Sequence, residues 1–154
     1  MGRKSRRNRS DPPRFATAGN WHTTFIPMFR DMIESKPYIA LSAPAKEVYM
    51  IIRNQYKGEA SGDVVKCPYS TFVKYGVRRE TAARAVNMLE AYGFIEVERG
   101  GLEHRPNEYR LSEKWKMIKT EADLDDAEER FRDCLDIKSK ARERKREFMD
   151  SHAV

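Results

Sequence analysis

The stretch of this chain that most constrains its fold runs from Tyr69 to Ile95. Residues 69–75 carry apolar side chains at helical spacing, and Gly76 follows them as a tight-turn residue. A longer pattern then places four small or aliphatic residues on one helical face: Ala82, Ala85, Val86 and Leu89. Gly93 stands where a left-handed helix C-cap is expected. The sequence therefore predicts a short helix, a tight turn and a longer helix.

The segments on either side extend this prediction. Ser42 is a plausible N-cap for a preceding helix, because Pro44 lies in its first turn. The apolar stripe of that helix consists of Ala45, Val48, Tyr49, Ile52 and Tyr56. Strands are predicted at residues 64–67, 94–99 and 108–111. The expected class is α+β, mostly α, in the order helix, strand, helix, turn, helix, strand, turn, strand.

The two ends of the chain differ in composition from its middle. Residues 1–20 are basic and rich in polar and turn residues, which predicts a disordered arm. Residues 21–118 are expected to form one domain, which opens with a short strand and a helix that Pro37 ends. Residues 119–154 are expected to form a charged helix and tail, begun by a capping box. The apolar seam of that helix consists of Leu124, Ala127, Phe131, Cys134 and Leu135.

Charge and cysteine content narrow the classes of partner and compartment. The chain carries a formal net charge of +6, which favours an anionic partner. Cys67 and Cys134 are isolated from one another, which favours a reducing, cytoplasmic setting. No apolar run approaches the roughly 20 residues of a membrane helix, and no metal or cofactor motif is present. His22, His104 and His152 lie in different segments, so we expect no enzyme.

The segment Tyr69–Trp115 resembles the winged helix-turn-helix domains of bacterial regulators and of replication proteins carried on plasmids and mobile elements. The likeness rests on Lys-Tyr-Gly-Val-Arg-Arg-Glu-Thr at residues 74–81 and on Tyr-Gly-Phe-Ile at residues 92–95. The resemblance implies a nucleoid-associated protein that binds duplex DNA through a recognition helix (79–92) and a wing (99–107). It leaves open whether the protein regulates transcription or initiates replication.

Within this resemblance, several side chains are candidates for DNA contact. Arg78 stands where such domains carry Ser or Thr as the N-cap, and it can donate to a phosphate but cannot cap the helix. The face opposite the apolar stripe carries Arg79, Glu80, Ala83, Arg84 and Asn87. Arginine, asparagine and glutamate can pair with base edges, and an alanine allows close approach. A solvated helix face, with pairs such as Glu80–Arg84, is the alternative.

Further candidates for contact lie at the start of the recognition helix, in the wing and in the two basic runs. Thr81 lies near the helix start and could bond a phosphate. His104 and Arg105 lie in the wing, and a wing arginine often enters the minor groove, although a plain hairpin turn fits equally well. The basic runs at residues 3–14 and 138–146 either contact phosphates or are solvated; for the second run, a favourable interaction with the helix dipole is a third explanation.

A protein-interaction function is the rival hypothesis. Residues 120–150 could pair as a coiled coil and make a homodimer. The seam is short for this purpose, since durable coiled coils need about three heptads. The same seam could instead pack back on the domain.

Overall fold

The computed structural model describes residues 26–56, 64–101 and 105–152. These residues form a mostly helical α+β fold with a three-stranded antiparallel sheet, as the sequence predicted. The helices are α1 (Arg30–Ile33), α2 (Lys36–Ala40), α3 (Ala43–Gln55), α4 (Tyr69–Lys74), α5 (Arg79–Ala91) and α6 (Glu121–Ser151), and a 3₁₀ turn spans Lys114–Met117. The strands are β1 (Val64–Lys66), β2 (Ile95–Glu98) and β3 (Glu108–Leu111).

Helix α3 begins as its sequence predicts. The Ser42 hydroxyl accepts a hydrogen bond of 3.4 Å from the Ala45 amide, and Pro44 occupies the first turn, where its missing N–H costs no hydrogen bond. The predicted stripe packs against α5, with its first four members buried and Tyr56 half-buried. The predicted inward face of α5 is buried in full. These two helices therefore form the centre of the core.

The sheet closes one side of this core. Strand β3 lies in the middle, with β1 and β2 antiparallel on its two sides. Tyr109 of β3 lies opposite both Val65 and Val97, and it is completely buried. Its hydroxyl accepts a hydrogen bond from the Asn107 amide nitrogen, so the buried polar atom is satisfied.

An aromatic cluster joins the N-terminal helices to the segment after the sheet. The Phe94 ring meets Tyr38 and Tyr49 edge-on, with centroids 6.0 and 5.6 Å away. Its face stacks on Trp115 at 6.0 Å, with the two planes only 7° apart. Burial of these large rings accounts for much of the apolar area that the fold removes from water.

Two glycines make the turns around α5 possible. Gly76, between α4 and α5, has φ +89°, and Gly93, after α5, has φ +79°. Both values lie in the left-handed region that other residues rarely adopt. At Gly93 a side chain would also meet the Trp115 backbone nitrogen at 2.7 Å, whereas Gly76 faces open space.

Helix α6 packs on the body through only part of its length. The predicted capping box is present, with the Thr120 hydroxyl accepting from the Asp123 amide and the Asp123 carboxylate accepting from the Thr120 amide. Ala127 and Phe131 are buried against the body, in close contact with α5. Residues 139–152 are exposed throughout. The helix therefore has a docked half and a projecting half.

Two local features differ from the sequence prediction. The helix before Pro37 ends at Ile33, as expected, but the sequence did not predict α2, which Ser35 caps and whose first turn contains Pro37. Tyr75, one of the apolar residues at helical spacing over 69–75, is 47% exposed because it lies on the turn beyond α4. The disordered arm at 1–20 and most of the short strand predicted at residues 21–27 fall outside the described residues.

Candidate nucleic-acid interface

The first turn of α5 is exposed and cationic. Arg78 is the N-cap, with extended backbone and no side-chain hydrogen bond that caps the helix. Arg78, Arg79 and Glu80 are all exposed. Because the first amide groups of a helix have no partner within it, this turn presents N–H donors beside two guanidinium groups. The irregular cap expected from the sequence is confirmed.

A groove lies between this turn, the start of α4 and the β2–β3 connection. Arg79 and Arg105 both line it, together with Tyr69 and Asn107. The Arg79 guanidinium lies 5.3 Å from the centre of the Tyr69 ring, and the Tyr69 hydroxyl accepts from the Asn107 amide at 3.4 Å. Arg105 also approaches Glu98, at 3.7 Å between Nη2 and Oε1. Two arginines distant in sequence therefore share one groove.

Helix α6 covers the outer face of α5 around Asn87. Asn87 lies on the face of α5 opposite the core, as predicted. The prediction that this side chain is open to a partner is wrong, because α6 packs there and the exposure of Asn87 is 4%. The Asn87 side-chain oxygen accepts hydrogen bonds from Lys138 Nζ at 2.7 Å and Arg99 Nη2 at 3.2 Å. In this arrangement the Asn87 amide is not available to a base edge.

The contacts around Asn87 form a small polar cluster. Arg99 also donates to both carboxylate oxygens of Glu90, and this hydrogen bonding raises the pKa of Arg99. Burial lowers the pKa of Lys138. The sequence does not identify Arg99 and Lys138 as contacts of α5, because their hydrogen bonds to Asn87 span 12 and 51 positions. Only the tertiary fold brings them together.

Four further residues were predicted to contact DNA: Arg84, Thr81, Ala83 and His104. The Arg84 guanidinium is exposed but lies 5.7 Å from the centre of the Phe131 ring of α6. Thr81 is half-buried in a small cavity that Phe131 also lines, on the side of α5 away from the groove residues. Ala83 is half-buried. His104 lies outside the described residues.

Comparison with protein-family models, with curated proteins and with solved structures finds no match for this chain. Among the described residues, no helix is long and apolar enough to cross a membrane. The described parts of the chain also hold no group of three or more His, Cys, Asp or Glu side chains placed to bind a metal ion.

Proposed function

We propose that this chain binds duplex DNA through the first turn of α5 and the adjoining groove, as a winged helix-turn-helix module of a transcription regulator or a replication initiator. The order α3, β1, α4, turn, α5, β2, β3 is the order expected of such a module. In this proposal α5 is the recognition helix and the β2–β3 connection is the wing.

One observation carries the proposal: two exposed arginines at an uncapped helix start have no carboxylate partner in the part of the chain that the structure describes. No acidic side chain among the described residues lies within ion-pair distance of Arg78 or Arg79. A helix N-terminus with free amides and cations suits a phosphate group. In this proposal Arg79 pairs with a guanine edge and Glu80 with a cytosine amine.

The docked α6 limits which part of α5 enters the groove of DNA. Asn87 is covered and Arg84 lies against Phe131, so contact through the first turn is favoured over contact along the whole helix. Recognition helices commonly meet base edges with their N-terminal residues, which agrees with this restriction.

Fluorescence anisotropy of the full chain on a labelled random-sequence duplex tests this proposal. We expect binding at low salt and about a tenfold loss of affinity in Arg79→Ala, since a base or phosphate contact contributes about 1–3 kcal/mol. Lys114→Ala is the control, because it removes one exposed cation, ion-paired with Glu96, beside Gly93 at the other end of α5. No binding by the wild-type chain at low salt would refute the proposal, as would equal losses in the two variants.

Self-association through α6 is a second candidate. Ile137 and Phe148 are 68% and 62% exposed, and their spacing places them on one stripe of the projecting half with Ala141. Analytical ultracentrifugation is expected to show a concentration-dependent dimer that Ile137→Ser with Phe148→Ser abolishes. A wild-type monomer at all concentrations would remove this function.

A further inference from the structure

The seam of α6 is the side of the helix that packs on the body. Along the helix its residues change from apolar to cationic, but they stay on the same side. Its docked part contains Ala127, Phe131 and Leu135. Its continuation contains Lys138, Arg142 and Lys145. At about 100° per residue these six positions fall within an arc of about 80°. Lys138, Arg142 and Lys145 therefore face the same side as the buried residues of the docked half.

The carboxylates of the projecting half lie on the other side of the helix. By the same rotation, Glu143, Glu147 and Asp150 follow Asp136 along the face opposite the seam. A favourable interaction with the helix dipole requires cations near the C-terminus but no particular face. The seam side of the projecting half therefore carries cations and no carboxylate, whereas the other side carries both signs, including Lys140 and Arg144. This uncompensated positive charge points to an anionic partner on the seam side.

The cationic seam begins on α5, the helix whose first turn is proposed to contact DNA. Lys138 and Arg99 donate to the same Asn87 oxygen, about two turns along α5 from Arg79. Arg99 is ion-paired with Glu90. The exposed cations of the seam therefore follow directly after the contact that fastens α6 to α5.

We propose that the seam side of residues 138–146, through Arg142 and Lys145, binds the phosphodiester backbone of the duplex that the first turn of α5 contacts. This inference rests on the proposed function and extends its footprint. The 13 residues from 139 to 151 form about 20 Å of helix, a length that spans about six base pairs. An anionic membrane is disfavoured as a partner because the seam side lacks the large apolar residues that would insert, apart from Met149.

Two pairs of substitutions separate this surface from general positive charge. Arg142→Gln with Lys145→Gln removes two cations from the seam side. Lys140→Gln with Arg144→Gln removes two cations from other faces of the same nine residues, and it is the matched control. The affinity of each full-length variant is measured against salt concentration on duplexes of 30 and 12 base pairs, and circular dichroism verifies that α6 is retained.

On the longer duplex, we expect the slope of log affinity against log salt to fall by about 1.8 in the seam variant, because each phosphate that the protein no longer neutralises lowers the slope by about 0.9. The control should change the slope by less than half as much. On the short duplex, which offers fewer phosphates beyond the α5 contact, the seam variant should differ less from the wild type. A wild-type chain that binds while both variants share one slope overturns this surface and leaves the proposed function standing. A wild-type chain that binds neither duplex at low salt overturns both. A different result would assign the surface to a membrane instead. In that case the wild-type chain binds vesicles of anionic lipid but no duplex, and only the seam variant loses vesicle binding.

Discussion

The ammonium group of Lys138 donates a 2.7 Å hydrogen bond to the side-chain oxygen of Asn87, across 51 positions of sequence. This contact, with the burial of Phe131, holds α6 on the outer face of α5. It therefore determines which residues of α5 can meet a partner, and it brings Lys138 close to Arg99, the residue that follows β2.

We expect Asn87→Ala to destabilise the protein by about 1–3 kcal/mol, because Lys138 and Arg99 lose a shared acceptor at a buried site. Urea denaturation measures the change, and hydrogen exchange should show faster opening of α6. Asn54→Ala is the control: Asn54 also lies in a helix, but its amide donates to the Tyr75 hydroxyl at the surface. Its effect should stay within about 0.5 kcal/mol. Equal effects of the two substitutions would mean that the Asn87 contact does not fasten α6.

Gly93→Ala is expected to destabilise the fold more than Gly76→Ala. Both glycines have positive φ, so each alanine incurs backbone strain of about 1–2 kcal/mol. At Gly93 the new Cβ also meets the Trp115 nitrogen at 2.7 Å, which forces the stacked Phe94–Trp115 pair to shift. Thermal denaturation of both variants compares the two sites. A larger loss at Gly76 would contradict the packing described for Gly93.

The sequence predicted most helices and strands because the apolar pattern of each element reflects the contacts that this element makes with the core. Ala82 and Leu89 repeat on one helical face since that face packs on the core, and Gly93 follows α5 since the chain must turn there. Asn87 could not be predicted as buried, because a polar residue opposite an apolar stripe is typical of a solvated face. Its burial depends on α6. The apolar seam of α6 predicts that this side of the helix is buried, but it does not predict which surface it packs against.

The buried Cys67 thiol predicts a dependence of stability on pH. Burial raises the pKa of Cys67 from 9.0 to about 11. A raised pKa means that folding favours the protonated thiol, so this contribution to stability is complete below pH 9 and is lost as pH rises towards 11. Cys67→Ala should flatten the fall of unfolding free energy over this interval, as measured by urea denaturation at several pH values.

At about pH 8, alkylation of the folded chain should reach the half-buried Cys134 long before Cys67. Rapid labelling of Cys67 would contradict its burial.

The positions of Arg79 and Arg84 predict unequal contributions to DNA affinity. Arg79 stands in the first turn beside the groove, whereas Arg84 lies one turn further along, against Phe131. If α6 stays docked on DNA, Arg79→Ala should weaken duplex binding about tenfold and Arg84→Ala less than about twofold, since a peripheral phosphate contact contributes little. Combining Arg84→Ala with Phe131→Ala tests the role of α6, because the loss of the ring frees the Arg84 face of α5. In the Phe131→Ala background, Arg84→Ala should then reduce affinity by more than it does in the wild type. Losses that are equal for Arg79 and Arg84 in the wild type would show that α6 leaves α5 when DNA binds.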